Sequence, residues 1–395
     1  MSAIVIFAIF LLIFSLIKFL NLTSPPRPPK IVCSDPKFQE IILKYCPLLL
    51  ETFSPIRLWG RSGHVQTIIH ATVGRTYCPS IQARRFAARA EDGATVTWDV
   101  YEPTAASQFP EVYTIAICPG IANSSESLYV RSLVSLASSQ GFRCIVLNHI
   151  GVLPHVKVTS PRVFRYGETG DFRLMITRFL ESFPQSKLLL VGFSMGGNIV
   201  SKYLGESKPK PDNILGGVSI CQGYHAQKTL SALLGWQNMS RLYLFSMTEN
   251  MRGVIIRNRE VLLTEDVKRR YGIDERKALT AATLPELDEQ YTRRVFGFRS
   301  VDELYKCDSS CNYLHNINVP MIFINSKDDP LVHPSLLSIP ENFVGGGHPN
   351  TMYIETEHGG HLGFYDGGYV IPQAVTWLDK TVVSVVTALA NLDTF

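Results

Sequence analysis

The sequence predicts an α/β fold, a mostly parallel sheet with helices on both faces. Three observations carry this expectation. From about residue 94 onward, continuous apolar and β-branched runs alternate with helical stretches, the pattern of strands buried on both sides. One run passes directly into a glycine-flanked serine, GFSMGG, with a helix-like NIVSKYLGE behind it. The last two runs end in acidic and histidine-bearing loops, NSKDD and EHGGH, at the strand ends where open α/β sheets build their sites.

Taken in chain order, the first feature is an apolar run from Ala3 to Leu20 whose one charge is Lys18. As a helix it measures roughly 27 Å, close to the roughly 30 Å hydrocarbon core of a bilayer, and Lys18 sits near enough to one end to snorkel. A cleaved signal peptide would carry a basic leading region and a small-residue cleavage site; neither is present. Residues 1–20 therefore read as a retained transmembrane anchor. The prolines of SPPRPPK cannot continue a helix and form a stiff spacer, opening a linker and N-terminal segment over residues 21–80. Lys18, Arg27 and Lys30 all follow the apolar run, which places the globule in the cytosol by the positive-inside rule. Glycosylation sequons at Asn21, Asn123 and Asn238 point to the opposite side.

The strands follow as VYTIAICPG (112–120), FRCIVLNH (142–149), SKLLLVGFS (186–194), GGVSICQG (216–223), VPMIFINSKDD (319–329) and TMYIETEHGG (351–360). This divides the globule into a core over 81–222, an insertion over 223–317 and a second core part over 318–395. The insertion is rich in helix formers and in aromatic and basic residues, and sits where a cap that shapes an apolar pocket is expected.

Gly192, Ser194 and Gly196 form G-x-S-x-G at a strand-to-helix junction. A serine there sits on a sharp turn, and the helix behind it favours developing negative charge. Such a serine attacks only with a base to take its proton and an acid to orient the base. His361 lies beyond a Gly-Gly turn and is the expected base, with His358 a packed neighbour. Asp329, farther from its strand and just before Pro330, is the expected orienting acid, with Asp328 capping the turn. Two backbone amides must receive an oxyanion: that of Met195, after the nucleophile, and that of Ile121, in a loop where Gly120 is expected to let the backbone turn.

The segments RLWGRSGHVQT (57–67), CPGIANSSES (118–127), VLNHIGVLP (146–154), VGFSMGGNIVSKYLGE (191–206), DDPLVH (328–333) and HGGHLGF (358–364) occur in this order. Together they closely resemble the membrane-anchored α/β-hydrolase-domain proteins of type 2, which are monoacylglycerol lipases. The resemblance runs over nearly the whole chain. It implies the α/β-hydrolase fold with a helical cap, a Ser194–Asp329–His361 triad, a monoacylglycerol substrate drawn from the lipid bilayer, and no cofactor. It also implies a single-pass type II protein of the cell membrane or endoplasmic reticulum, and a link to a steroid ligand for which no motif stands in the sequence. Trp59, His64 and Gln66 have no role derivable from the residues alone.

Other classes find little support. The formal net charge is +4 with no aromatic-interleaved basic cluster, which argues against nucleic acid. The eight cysteines lack a disulfide-scaffold spacing. Cys307, Cys311 and His315 are four apart and would share one helix face, but no fourth ligand accompanies them, so a packed face is expected rather than a metal site. The spacing of His361 and Asp366, H-x4-D, is read as coincidence. The rival functions are an acyltransferase or thioesterase on the same three residues, and a lipid- or steroid-binding protein with a silent site.

Overall fold

The computed structural model describes residues 3–75, 81–109 and 113–392. Among these, nine strands form one sheet: β1 (Lys30–Val32), β2 (Arg84–Arg89), β3 (Thr95–Tyr101), β4 (Thr114–Cys118), β5 (Arg143–Asn148), β6 (Leu188–Phe193), β7 (Ile214–Ile220), β8 (Met321–Ser326) and β9 (Thr351–Thr356). Their spatial order is β1-β9-β8-β7-β6-β4-β5-β3-β2. Strands β9, β8, β7, β6, β4 and β5 are mutually parallel. These are the six runs read from the sequence. Antiparallel β3 and β2 extend one edge and antiparallel β1 the other. The outermost β2 carries Arg84, Arg85 and Arg89, and such charge on an edge strand discourages pairing with another chain.

Residues alternate between two apolar layers. Leu188 and Leu190 of β6 face one layer, and Leu189 and Val191 face the other. Helices α1 (Ala3–Phe19), α2 (Pro36–Tyr45), α3 (Gly63–Thr72), α4 (Leu128–Ser139), α5 (Gly170–Ser182) and α6 (Met195–Gly205) precede the insertion. α2, α4 and the C-terminal helix Trp377–Leu392 close one layer, and α5 and α6 the other. Two-sided burial is why the parallel strands are mostly apolar runs rather than alternating ones.

Between β7 and β8 the chain forms α7 (Ala226–Leu233), α8 (Ser240–Arg257) and a series of shorter helices ending in Val301–Asp308. Met251, Val254 and Ile255 of α8 bury against the core beneath. The helix Val301–Asp308 stops where Ser309 turns extended, so Cys311 and His315 fall in separate 3-10 turns. The single helix face expected for Cys307, Cys311 and His315 does not form.

α1 is 17 residues long with none of them buried. It ends because Asn21 adopts a left-handed φ of 51° and the turn closes by Leu22 N–H donating to Ile17 O. Its length is about 25 Å, below the roughly 30 Å of a hydrocarbon core. Among the described residues, no helix is long and apolar enough to cross a membrane. The span expected over residues 1–20 is thus shorter than read. The Asn21 amide donates to Arg61 O at 3.1 Å, and Arg61 donates to Leu22 O at 2.6 Å, fastening the root of α1 to the globule.

Candidate active site

Ser194 is the single residue between β6 and α6, with φ 53° and ψ −117°. That conformation is costly for a non-glycine residue and persists only where the surroundings enforce it. Here they do. Ser194 N–H donates to Ile220 O at 2.8 Å. A Cβ on Gly196 would stand 2.0 Å from Cys118 O, and one on Gly192 would stand 2.2 Å from Gly196 O. The flanking glycines are therefore steric requirements of the turn. Met195 is the first residue of α6, so its N–H has no partner in a preceding turn.

His361 meets this serine. Its Nε2 lies 2.8 Å from Ser194 Oγ, and its Nδ1 lies 2.8 Å from Asp329 Oδ2. The other oxygen of Asp329 accepts from the backbone N–H groups of Leu331 (2.8 Å) and Val332 (3.1 Å). The Asp329 side chain is fully buried, so both its oxygens are committed inside the protein. The structure brings Ser194, His361 and Asp329 into one hydrogen-bonded line.

The neighbouring residues of the sequence reading fall elsewhere. His358 is buried, with Nε2 3.3 Å from Ser24 Oγ and Nδ1 3.7 Å from Asp328 Oδ2. Asp328 accepts the Gly360 N–H at 2.8 Å, and burial pushes its carboxyl above the usual range. The Gly-Gly turn is packed rather than loose: Gly360 has φ 57°, and a Cβ there would stand 2.4 Å from Gly63 O. In the loop after β4 the left-handed residue is Ala122 (φ 55°), not Gly120. Gly120 is held instead by its N–H donating to Tyr129 Oη at 2.9 Å. The Asn123 amide donates to Ile121 O at 2.7 Å.

Two residues of α3 support the histidine loop. His361 N–H donates to Thr67 Oγ1 at 2.8 Å, and that hydroxyl donates to Gly63 O at 2.7 Å. Gln66 is fully buried, donating to Gly60 O at 2.7 Å and accepting the Tyr365 N–H at 2.8 Å. The only sequence signal for these roles was the GHVQT segment itself, since the partners they hold in the histidine loop, His361 and Tyr365, lie about three hundred residues away. Gln66→Leu leaves a carbonyl and an N–H buried without partners. A loss of roughly 2–4 kcal/mol in unfolding free energy is expected, read by denaturant titration; a loss below about 0.5 kcal/mol contradicts the role.

A family model described as the alpha/beta hydrolase fold matches residues 113–368. The "Abhydrolase domain-containing protein 2" of Drosophila melanogaster is 50% identical over 95% of this chain and 94% of its own length. "Monoacylglycerol lipase ABHD2" of Danio rerio is 42% identical over 97% of this chain and 88% of its own, and that of Homo sapiens 39% identical over 97% and 91%. The chain belongs to the ABHD2 family of α/β hydrolases.

This α/β hydrolase is a carboxylic ester hydrolase. A narrow cavity of about 90 Å³ reaches Ser194 and His361 beneath α7 and α8, lined by apolar side chains such as Leu230, Leu233, Met247 and Leu284. Cys221, Asp329 and His361 bring ligand-type atoms within 4.8 Å of one another. The Asp329–His361 hydrogen bond already occupies two of those atoms. Burial, reinforced by the Asp329 charge, pushes the Cys221 thiol well above its usual range, which opposes the thiolate a metal would need.

One acid in the cavity wall was missed from sequence. Asp288 accepts from Tyr305 Oη at 2.8 Å, and burial pushes its carboxyl from 3.8 up to about 6. With the folded value raised, its contribution is fully present below about pH 3.8 and is lost as pH rises through about 6. Asp288→Asn removes this titration. The variant is expected to gain on the wild type by roughly 2 kcal/mol between about pH 4 and pH 7, measured by thermal melts. A pH-independent difference contradicts it.

Proposed function

We propose that the protein hydrolyses monoacylglycerols through an acyl-enzyme on Ser194, with His361 as general base and Asp329 as the acid that orients it. The single observation that carries this reading is the line from Asp329 through His361 to Ser194, 2.8 Å at each step, at the mouth of an apolar cavity. As Ser194 Oγ attacks the ester carbonyl, its proton passes to His361 Nε2. Nδ1–H donates to Asp329, which stabilises the imidazolium without taking the proton. The amides of Met195 and Ile121 receive the oxyanion; both residues line the same cavity as Ser194 and His361. His361 then gives its proton to the departing glycerol oxygen, and water repeats the sequence to release the fatty acid.

Ser194 and His361 also border a wider groove whose walls mix polar residues such as Asn123 and Asn250 with apolar ones. In this reading the acyl chain enters the apolar cavity and the glycerol lies toward the groove. Residues 223–317 form the cap, between the core parts 81–222 and 318–395. The names of the relatives supply the substrate class, and the apolar lining suits it. α1 attaches the enzyme to the bilayer: it is apolar on all sides and uncovered, and the shortfall in length is met by snorkelling of Lys18 and local thinning. The steroid link implied by the resemblance has no residue here that we assign to it.

The test is release of fatty acid from a 2-monoacylglycerol by the detergent-solubilised full chain, beside an acyl thioester and an added alcohol acceptor. Preferred hydrolysis of the glycerol ester supports the reading. Faster thioester cleavage, or acyl transfer to the alcohol over water, replaces it with the rival chemistry on the same residues. Folded protein inactive on all three makes it a binding protein.

A further inference from the structure

The root of α1 is wedged between two elements at the mouth of the active site. On one side Phe19 stacks on His64 (centroids 6.3 Å apart, 11° between planes), and His64 stacks on Tyr243 of α8 (5.9 Å, 13°) with Nδ1 2.9 Å from Tyr243 Oη. On the other side Leu20 packs on the cluster of Ile56, Trp59 and Tyr365. That segment is strapped to the loop after the histidine: Leu58 N–H donates to Tyr369 O and Trp59 Nε1 to Val370 O at 2.8 Å. Trp59 and His64 thus acquire structural roles.

Both elements present large apolar side chains to solvent. Trp236 (83% exposed), Leu242 and Phe245 project from the α7–α8 region; Leu58, Tyr369 and Ile371 (71%) project from the other side. A cation sits over an aromatic ring on each: Arg241 3.8 Å from the Trp236 ring centre, Arg57 4.6 Å from that of Tyr369. The groove that runs to Ser194 and His361 is walled by Leu242 and Tyr243 of the same collar.

We infer that this collar is a membrane-docking surface, seated at the headgroup–acyl boundary of one leaflet, so that the groove opens onto the leaflet that holds the substrate. The inference rests on the reading of α1 as a bilayer attachment and deepens it. Exposed aromatic and aliphatic residues rimmed by arginine are the chemistry of an interface between hydrocarbon and phosphate. A patch of this kind marks an interaction surface. Its occupant is the bilayer rather than a second protein, because an uncovered apolar helix emerges from the middle of the collar and any partner would have to enclose it. The enzyme then takes a water-insoluble ester without that ester crossing water.

Trp236 supplies the probe. Trp59, Trp98 and Trp377 are 7%, 4% and 4% exposed, so quenching by phosphatidylcholine brominated on its acyl chains reports on Trp236. The full chain, bound to such vesicles by flotation, is expected to show quenching that Trp236→Phe abolishes. The pair Phe245→Asp and Ile371→Asp is expected to slow hydrolysis of vesicle-borne monoacylglycerol by about tenfold or more. The rate on a short-chain, water-soluble ester should stay within about twofold, which also controls for folding. If the protein floats with vesicles but Trp236 is unquenched, the docking surface is overturned while the attachment by α1 stands. If the protein does not float, both fall. If Trp236 is shielded without lipid and the double variant turns a dimer into a monomer, the collar is an interface between copies and the inference fails.

Discussion

If Ser194 is the nucleophile proposed above, Ser194→Ala is expected to reduce the turnover of a 2-monoacylglycerol by roughly 10⁴- to 10⁶-fold, a loss on the scale seen when a nucleophile is removed from a complete relay. The proposed oxyanion donors and the cavity survive the change, so the activity expected to remain is theirs. Alanine also suits the site poorly. At φ 53° a non-glycine residue is strained, and the alanine variant keeps that strain while losing only the hydroxyl, so thermal stability should move little. Fatty-acid release and a thermal melt on the same preparation separate chemistry from folding. Activity within about tenfold of wild type, in a protein that melts normally, removes Ser194 from the mechanism.

Asp329→Asn is expected to cost roughly 10⁴-fold in kcat, and the structure says why the isostere fails. Leu331 and Val332 hold one acid oxygen with backbone N–H groups at 2.8 and 3.1 Å. The asparagine oxygen takes that position, which turns its NH2 toward His361 Nδ1. A donor there forces Nδ1 to accept and moves the ring proton to Nε2, the atom that faces Ser194 Oγ. The histidine then has no lone pair for the serine proton. The pre-steady-state acylation rate measures this step directly, and a decrease of less than about tenfold contradicts the orienting role. Asp328→Asn is the matching control: Asp328 holds the Gly360 N–H at 2.8 Å and faces His358 rather than His361, so its effect should be far smaller and felt mainly in stability.

The parts of the fold that were readable from sequence are those fixed by local pattern. The six parallel strands are buried along nearly their whole length and mostly apolar because both faces are covered, and runs of this kind alternating with helices are the signature of a covered parallel sheet. β1, β2 and β3 escaped notice for the converse reason. β1 and β2 are the edge strands, the one three residues long and the other half arginine, and β3 beside β2 alternates apolar with polar residues, so none of the three made a continuous apolar run. The G-x-S-x-G turn was legible because its glycines answer to contacts within one strand–helix unit and the strand beside it. The proposed triad order was legible for a similar reason, each residue following its own strand.

What the sequence by itself determined, then, was the fold class, the family, and the short set of residues from which a site would be drawn. Within that set it favoured His361 and Asp329 by their positions in their loops, a signal that carries nothing about the contacts that hold them. His358 and His361 are both histidines of one loop, and Asp328 and Asp329 are adjacent. The structure separates them through contacts that span the chain: Thr67 and Gly63 from α3 hold the backbone at His361, and Ser24 of the linker occupies His358. Likewise the apolar N-terminal run was plain in the sequence, but its end at Asn21 and its place beside the groove were not. Periodicity and turn chemistry act over a few residues and survive in any context. The choice between two identical side chains depends on which backbone groups a remote segment brings to them, and that is settled only when the whole sheet and its surrounding helices have assembled.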